Sequence, residues 1–139
     1  PTYEQVCSHS TGHAETVRVV FDTALTSAAD LVQLFFEIHD PTQVGGQGND
    51  IGDQYRSQIW TTTPEQLRDA TALRAAYQEV LTERGFGPIQ TIISPAPDAH
   101  SAARFWYAED YHQQYLFKNP GGYECHARTG IACPALPRS

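Results

Sequence analysis

A single two-layer sandwich of mixed helix and strand, α+β or α/β, is the fold class that this chain predicts. Its 139 residues suit one domain with a real hydrophobic core. Helical and strand patterns alternate along it, but the helices are few and the strands short. No internal repeat, low-complexity tract or shift of composition divides it. A small mixed sheet covered by two main helices satisfies all three observations, and a long doubly wound sheet does not.

Residues 1–14 are polar and mixed and read as loop. From Glu15 to Asp22, Val17, Val19 and Phe21 alternate with Arg18, the pattern of a strand with one buried face and Glu15 at its entrance. Ser27 then serves as N-cap of a helix, with Asp30 three residues on. Leu31, Leu34, Phe35 and Ile38 fall at i, i+3, i+4 and i+7, which predicts an apolar stripe facing the core. Pro41 disfavours helical geometry just before it, so the helix stops near His39.

The stretch from His39 to Ser57 is long for a connection in a compact domain. It holds four glycines, three aspartates, Tyr55 and Arg56, and almost no apolar residue. Glycines let the backbone turn sharply and approach a ligand, so Asp50, Tyr55 and Arg56 stand out as candidate functional residues. The plain alternative is an ordered surface loop.

Ser57 to Thr63 is rich in β-branched and aromatic residues and reads as a second strand. Thr63-Pro64-Glu65-Gln66 is a capping box with proline at the first helical position. The helix it opens runs to about Arg84, buried along Leu67, Ala70, Leu73, Tyr77 and Val80 or Leu81, and stops at Gly85. Pro88 to Ile93 reads as a short strand, Ser94 to Ala103 as a loop and Ala108 to Phe117 as a helix with Glu109 and Asp110 near its positive end. From Pro120 the pattern is lost, and residues 120–139 read as an irregular, mobile tail bearing Cys125 and Cys133.

The net charge of −7, with Lys118 the single lysine, disfavours nucleic acid. No apolar run approaches the roughly 18 residues of a membrane span, and no secretion signal is visible, so a cytoplasmic monomer is the expectation. Three cysteines, Cys7, Cys125 and Cys133, are an odd number without a C-x-x-C pair, which argues against a disulfide framework or zinc ribbon. Cys7 with His9, His13 and His112 lacks metal-ligand spacing, and no metal site is expected. Two thiols in a glycine-rich tail suit redox exchange, or are incidental. A carboxylate at the mouth of an apolar strand is partly desolvated, so Glu15 is a candidate general acid, or an ordinary strand-end glutamate. Tyr3, Tyr55, Tyr107, Tyr111, Tyr115 and Tyr123 flank the polar loops and can donate to a developing oxyanion, or merely cover a core edge.

Three long strings, PTYEQVCSHSTGHAETVRVVFD, HDPTQVGGQGNDIGDQYRS and FWYAEDYHQQYLFKNPGGYEC, closely resemble peptide methionine sulfoxide reductases of the A type. The resemblance covers nearly the whole chain. It implies the α+β form, ferredoxin-like, with a mainly antiparallel small sheet packed by two main helices and a long irregular C-terminal tail. It implies thiol-dependent reduction of the S epimer of methionine sulfoxide, free or in proteins. Glu15 would be the acid, Tyr3 and Tyr55 would hydrogen-bond the oxygen, and Asp50 would shape and hydrate the pocket. Cys125 would be the resolving thiol, and Cys133 would pass the disulfide on to thioredoxin, or to dithiothreitol in an assay. No metal or organic cofactor is implied.

This sequence departs from the family pattern at Val44-Gly45-Gly46, around Asp98 to Ala103, and where Glu124 separates Tyr123 from Cys125. The family's nucleophile lies in a Gly-Cys-Phe-Trp-Gly motif, which these residues do not contain. Together with the lack of any methionine, this leads us to expect a family member cut after its first third and inactive alone. The alternative is a non-catalytic fragment or module that binds oxidised methionine peptides.

Overall fold

The computed structural model describes residues 1–101, 103–124 and 127–137. Its elements, in chain order, are helix α1 (Tyr3–Cys7), helix α2 (Ala28–Glu37), strands β1 (Gly46–Gln47) and β2 (Asp50–Ile51), a 3-10 turn (Asp53–Tyr55), strand β3 (Gln58–Thr61), helix α3 (Pro64–Glu83), strand β4 (Ile92–Pro95) and helix α4 (Tyr115–Lys118).

Local chemistry accounts for the two long helices. Ser27 accepts from the Asp30 N–H and the Asp30 carboxylate accepts from the Ser27 N–H, a closed capping box on α2. Thr63 accepts from the Gln66 N–H, and Pro64 opens α3 where its missing N–H costs nothing. The Gln66 side chain, however, accepts from Thr62 rather than from Thr63, so only half of the expected box forms.

The described strands form two separate pairs rather than one mixed sheet. Among the described residues the one antiparallel pair is the small β1–β2 hairpin, with Gly46 opposite Ile51. The sheet under the helices is the parallel pair β3–β4, with Ile59 opposite Ile93 and Thr61 opposite Pro95. Parallel strands need a crossover, and α3 supplies it. Helix α3 packs on β3 and β4, and α2 packs on α3. Phe36, Leu73, Tyr77, Leu81, Ile89 and Cys133 form the buried core between them.

Five readings of the sequence are corrected. Residues 3–7 form a helix, because Thr2 and Gln5 close a capping box that a loop would leave open. Residues 15–22 have no regular secondary structure and pair with no strand, and Val17 and Val20 are 86% and 89% exposed. Their alternation is real, yet a strand needs a neighbour, and none of the described strands lies beside them. Helix α2 is turned from the predicted stripe: Phe36 is fully buried with Ala29, Val32 and Phe35 beside it, while Leu34 and Ile38 are exposed. Apolar residues nearly encircle this helix, so periodicity admitted more than one face. The last strand starts at Ile92 rather than Pro88. The last helix is confined to Tyr115–Lys118, because Gln114 adopts a left-handed conformation at its start.

A buried relay fixes both ends of the 39–57 stretch. His39 Nδ1 lies 2.7 Å from the Phe35 carbonyl, which can only accept, so Nδ1 carries the proton. Nε2 then accepts from the Ser57 hydroxyl at 2.8 Å, and Ser57 in turn accepts from Thr91 at 2.7 Å. Burial holds the His39 pKa below its usual value, in keeping with this neutral role. The tail is irregular, but part of it is fastened down. Tyr77 donates to the Ile131 carbonyl at 2.7 Å, Gln33 donates to the Cys133 carbonyl at 2.8 Å, and the Cys133 N–H donates to Glu37 at 2.8 Å.

Candidate active site

Four of the singled-out residues, Tyr3, Glu15, Asp50 and Tyr55, are near enough to influence one another's charge, each delivered by a different local device. Tyr3 stands on the first turn of α1, one helical turn before Cys7, so its hydroxyl reaches the Cys7 sulfur. Glu15 is held by its N–H, which donates to the Gln54 carbonyl at 2.8 Å. Asp50 lies in β2 of a hairpin so tight at Gly46 that a Cβ there would sit 2.3 Å from the Asp50 carbonyl oxygen. Tyr55 closes the 3-10 turn that follows Gly52, whose φ of +149° excludes other residues.

The electrostatics show how close these groups are. The surrounding protein desolvates Glu15 and raises its pKa although the side chain remains exposed; His112 opposes the rise and Asp50 adds to it. Tyr3, bonded to Cys7 and beside Cys7, Tyr55 and Glu15, is pushed up to about 12. Burial, then Glu15, Asp50 and Cys7, raise the Tyr55 pKa, against a smaller lowering by Gln54. Both phenols therefore keep their protons and remain donors, and Glu15 holds its proton to higher pH than an ordinary carboxyl. An acid and two hydroxyl donors within electrostatic reach of one another are suited to an oxygen that accumulates negative charge.

The structure adds residues that the sequence reading did not place here. The His112 ring lies 5.1 Å from the Tyr3 ring and 4.3 Å from the Tyr111 ring, and its Nδ1 contacts Glu109 at 3.0 Å. Glu109 is held below its usual range by its own backbone N–H and by His112. The Tyr123 hydroxyl donates to Asp50 at 3.3 Å, which brings the tail to the site. Cys7 at the site was foreseeable: the Thr2–Gln5 spacing signals a helix, and a helix stacks residues 3 and 7.

The two tail thiols fare differently. Cys125 lies outside the described residues. Cys133 is 2% exposed inside the core, and burial, with Glu37 nearby, pushes its pKa up to about 12. A thiol acts as nucleophile only as thiolate. Iodoacetamide at pH 8 is therefore expected to leave Cys133 unmodified in the folded chain and to modify it in urea; peptide mapping that finds Cys133 alkylated as fast in both states would refute its burial. Among the described residues, no group of three or more His, Cys, Asp or Glu side chains converges to hold a metal ion. No helix among them is long and apolar enough to cross a membrane.

Comparison with known proteins adds an independent line. The sequence pattern of the family described as peptide methionine sulfoxide reductase matches residues 1–136. The peptide methionine sulfoxide reductase MsrA of Azorhizobium caulinodans is 56% identical over 135 residues, which cover 96% of this chain and 59% of that protein. The mitochondrial peptide methionine sulfoxide reductase of Homo sapiens is 52% identical, over 96% of this chain and 54% of its own length. Methionine sulfoxide reductase A of Corynebacterium diphtheriae superimposes with a TM-score of 0.80 at 42% identity, covering 99% of this chain and 66% of that one. Mxr1 from Saccharomyces cerevisiae in its reduced form gives a TM-score of 0.77 at 35% identity, over 91% of this chain and 65% of that one. The chain thus spans 59% or less of the length of these two curated relatives. A match that runs from the first residue to within three of the last, shared by sequence and fold alike, means that the chain belongs to the peptide methionine sulfoxide reductase family.

Proposed function

We propose that this chain carries the oxygen-binding and proton-donating part of a reductase for the S epimer of methionine sulfoxide, free or in proteins. The observation that supports this most is the raised pKa of Glu15 beside the protonated hydroxyls of Tyr3 and Tyr55. A thiolate attacks the sulfoxide sulfur, and the S–O bond breaks as the oxygen moves to the thiol. Glu15 supplies the one proton that the transfer requires. The products are a sulfenic acid and the thioether of methionine. Tyr3 and Tyr55 hold the oxygen as charge builds on it, and Asp50 shapes and hydrates the pocket.

None of Cys7, Cys125 and Cys133 is assigned the attack, which the family resemblance places in a Gly-Cys-Phe-Trp-Gly motif. Cys125 condenses with the sulfenic acid to a disulfide, releasing water, and Cys133 passes the disulfide to thioredoxin, or to dithiothreitol in an assay. Burial of Cys133 means that this last exchange requires the segment around it to unpack. A second reading, a non-catalytic module that binds oxidised methionine peptides, draws on the same acid and hydroxyl groups acting without the attacking thiol.

The 139-residue chain should bind an N-acetyl-methionine sulfoxide peptide, followed by chemical-shift changes at Glu15 and Tyr55, without sustained turnover in dithiothreitol. Sustained turnover would show that the attacking thiol is within these residues. Absence of any shift at the two residues would remove the site itself.

A further inference from the structure

Glu15 stands on an exposed, unpaired segment that one backbone bond, to Gln54, ties to the turn carrying Tyr55. Residues 15–22 belong to no strand pair, so no sheet ladder positions Glu15. Besides the Glu15 N–H bond to Gln54, the contact between the two segments runs through Arg56. Its side chain is 19% exposed, and every nitrogen of its guanidinium has a partner. Nη2 donates to the Gly12 carbonyl at 2.9 Å, and Nη1 to the His13 carbonyl at 3.4 Å. Nη1 also donates to the Asp53 carbonyl at 2.9 Å and to the Asp53 carboxylate at 3.2 Å. Nε donates to Gln58 Oε1 at 2.9 Å. Two residues beyond His13, the Glu15 N–H donates to Gln54. Residues 12–15 are thus stitched to residues 53–58 by one side chain and one backbone bond.

We infer that Arg56 is a positioning residue that sets the acid Glu15 against Tyr55 by gripping the backbone carbonyls of residues 12 and 13. The grip is one of geometry rather than charge. Asp53 lies against the guanidinium, and the groups that shift Glu15 are its protein surroundings, His112 and Asp50. A planar fork with donors in fixed directions can hold carbonyls on one segment and side chains on the other at once, whereas the single nitrogen of lysine cannot. This inference rests on the reading of Glu15 as the proton donor.

The test uses the whole chain and reads the Glu15 carboxyl by carbon-13 NMR as pH is varied, together with the affinity for N-acetyl-methionine sulfoxide. In Arg56→Ala the Glu15 pKa should fall toward that of an ordinary glutamate. The affinity should drop on the order of tenfold, since charge-assisted hydrogen bonds orient the acid. Guanidinium ion added to Arg56→Ala should restore part of both, and Arg56→Lys should restore little. Should Arg56→Ala fail to fold, Arg56→Lys carries the same two measurements, with the same direction of change expected. A folded variant with a lower melting temperature but unchanged Glu15 titration and affinity would overturn the inference and leave Arg56 a structural tie. If the unaltered chain binds no sulfoxide, the proposed function fails, while the Glu15 titration still decides the role of Arg56.

Discussion

Binding of N-acetyl-methionine sulfoxide is expected to weaken about tenfold for each pH unit above the Glu15 pKa. A sulfoxide oxygen only accepts hydrogen bonds. Protonated Glu15 can donate to it, and the carboxylate can only repel it. Desolvation and Asp50 raise the Glu15 pKa against the pull of His112, so the binding-competent form persists above the range of ordinary glutamates. Tyr3, pushed up to about 12, stays a donor across this range and contributes no slope. The sign for folding is the same. A carboxyl whose pKa is higher folded than unfolded favours the folded state at low pH, and that contribution is lost as pH rises through the folded value. Glu15→Gln keeps a donor and has no proton to lose, so its affinity should be flat over the same pH range. Isothermal titration at several pH values decides the matter: a flat profile in the unaltered chain, or an equal slope in Glu15→Gln, would exclude Glu15 as the donor.

Phe36→Ala should lower the unfolding free energy by about 3–5 kcal/mol. Phe36 is fully buried, and its ring lies 5.5 Å from Phe35 and 5.8 Å from Tyr77, at the centre of the α2–α3 contact. Domains of this size are stable by about 5–15 kcal/mol, so the loss takes a large part of the total. Urea unfolding followed by circular dichroism should show an earlier midpoint with little change of slope. By contrast Leu34→Ala, on the exposed face of the same helix, should cost less than about 1 kcal/mol. Equal losses at the two positions would restore the predicted stripe and reject the observed face of α2.

What could be read in the sequence was whatever is written within a few residues. The starts of α2 and α3 were legible because Ser27 and Thr63 each cap an N–H three residues on and Pro64 takes the first helical position. The buried positions Ala70, Leu73, Tyr77 and Leu81 followed from a clean period on an otherwise polar helix. Pairings between distant segments were not legible. The alternation of Val17, Val19 and Phe21 says what a strand would bury and nothing about whether a neighbour exists. The parallel register of β3 and β4 depends on the helix between them, and the left-handed Gln114 has no signature in residue type. At the site, Glu15, Tyr3, Tyr55 and Asp50 were all singled out, and the charge of each bears on another of the four. His112 beside Tyr3, Tyr123 on Asp50 and the grip of Arg56 depend on contacts across 43 to 109 residues, which spacing along the chain cannot reveal.

The parallel pairing of β3 and β4 also dictates an order of assembly. The two strands are joined by residues 62–91, which hold the 20-residue helix α3 and must fold back before the strands can meet. Helices form on a timescale of about a microsecond, faster than most long-range closures, so α3 is the natural starting point. Only when β4 has docked does Thr91 stand beside Ser57, and only then are both ends of the 39–57 stretch tied through His39. The segment that carries Asp50 and Tyr55 thus takes both its anchors from a scaffold that includes the crossover, and a lesion that slows the crossover delays core and loop together.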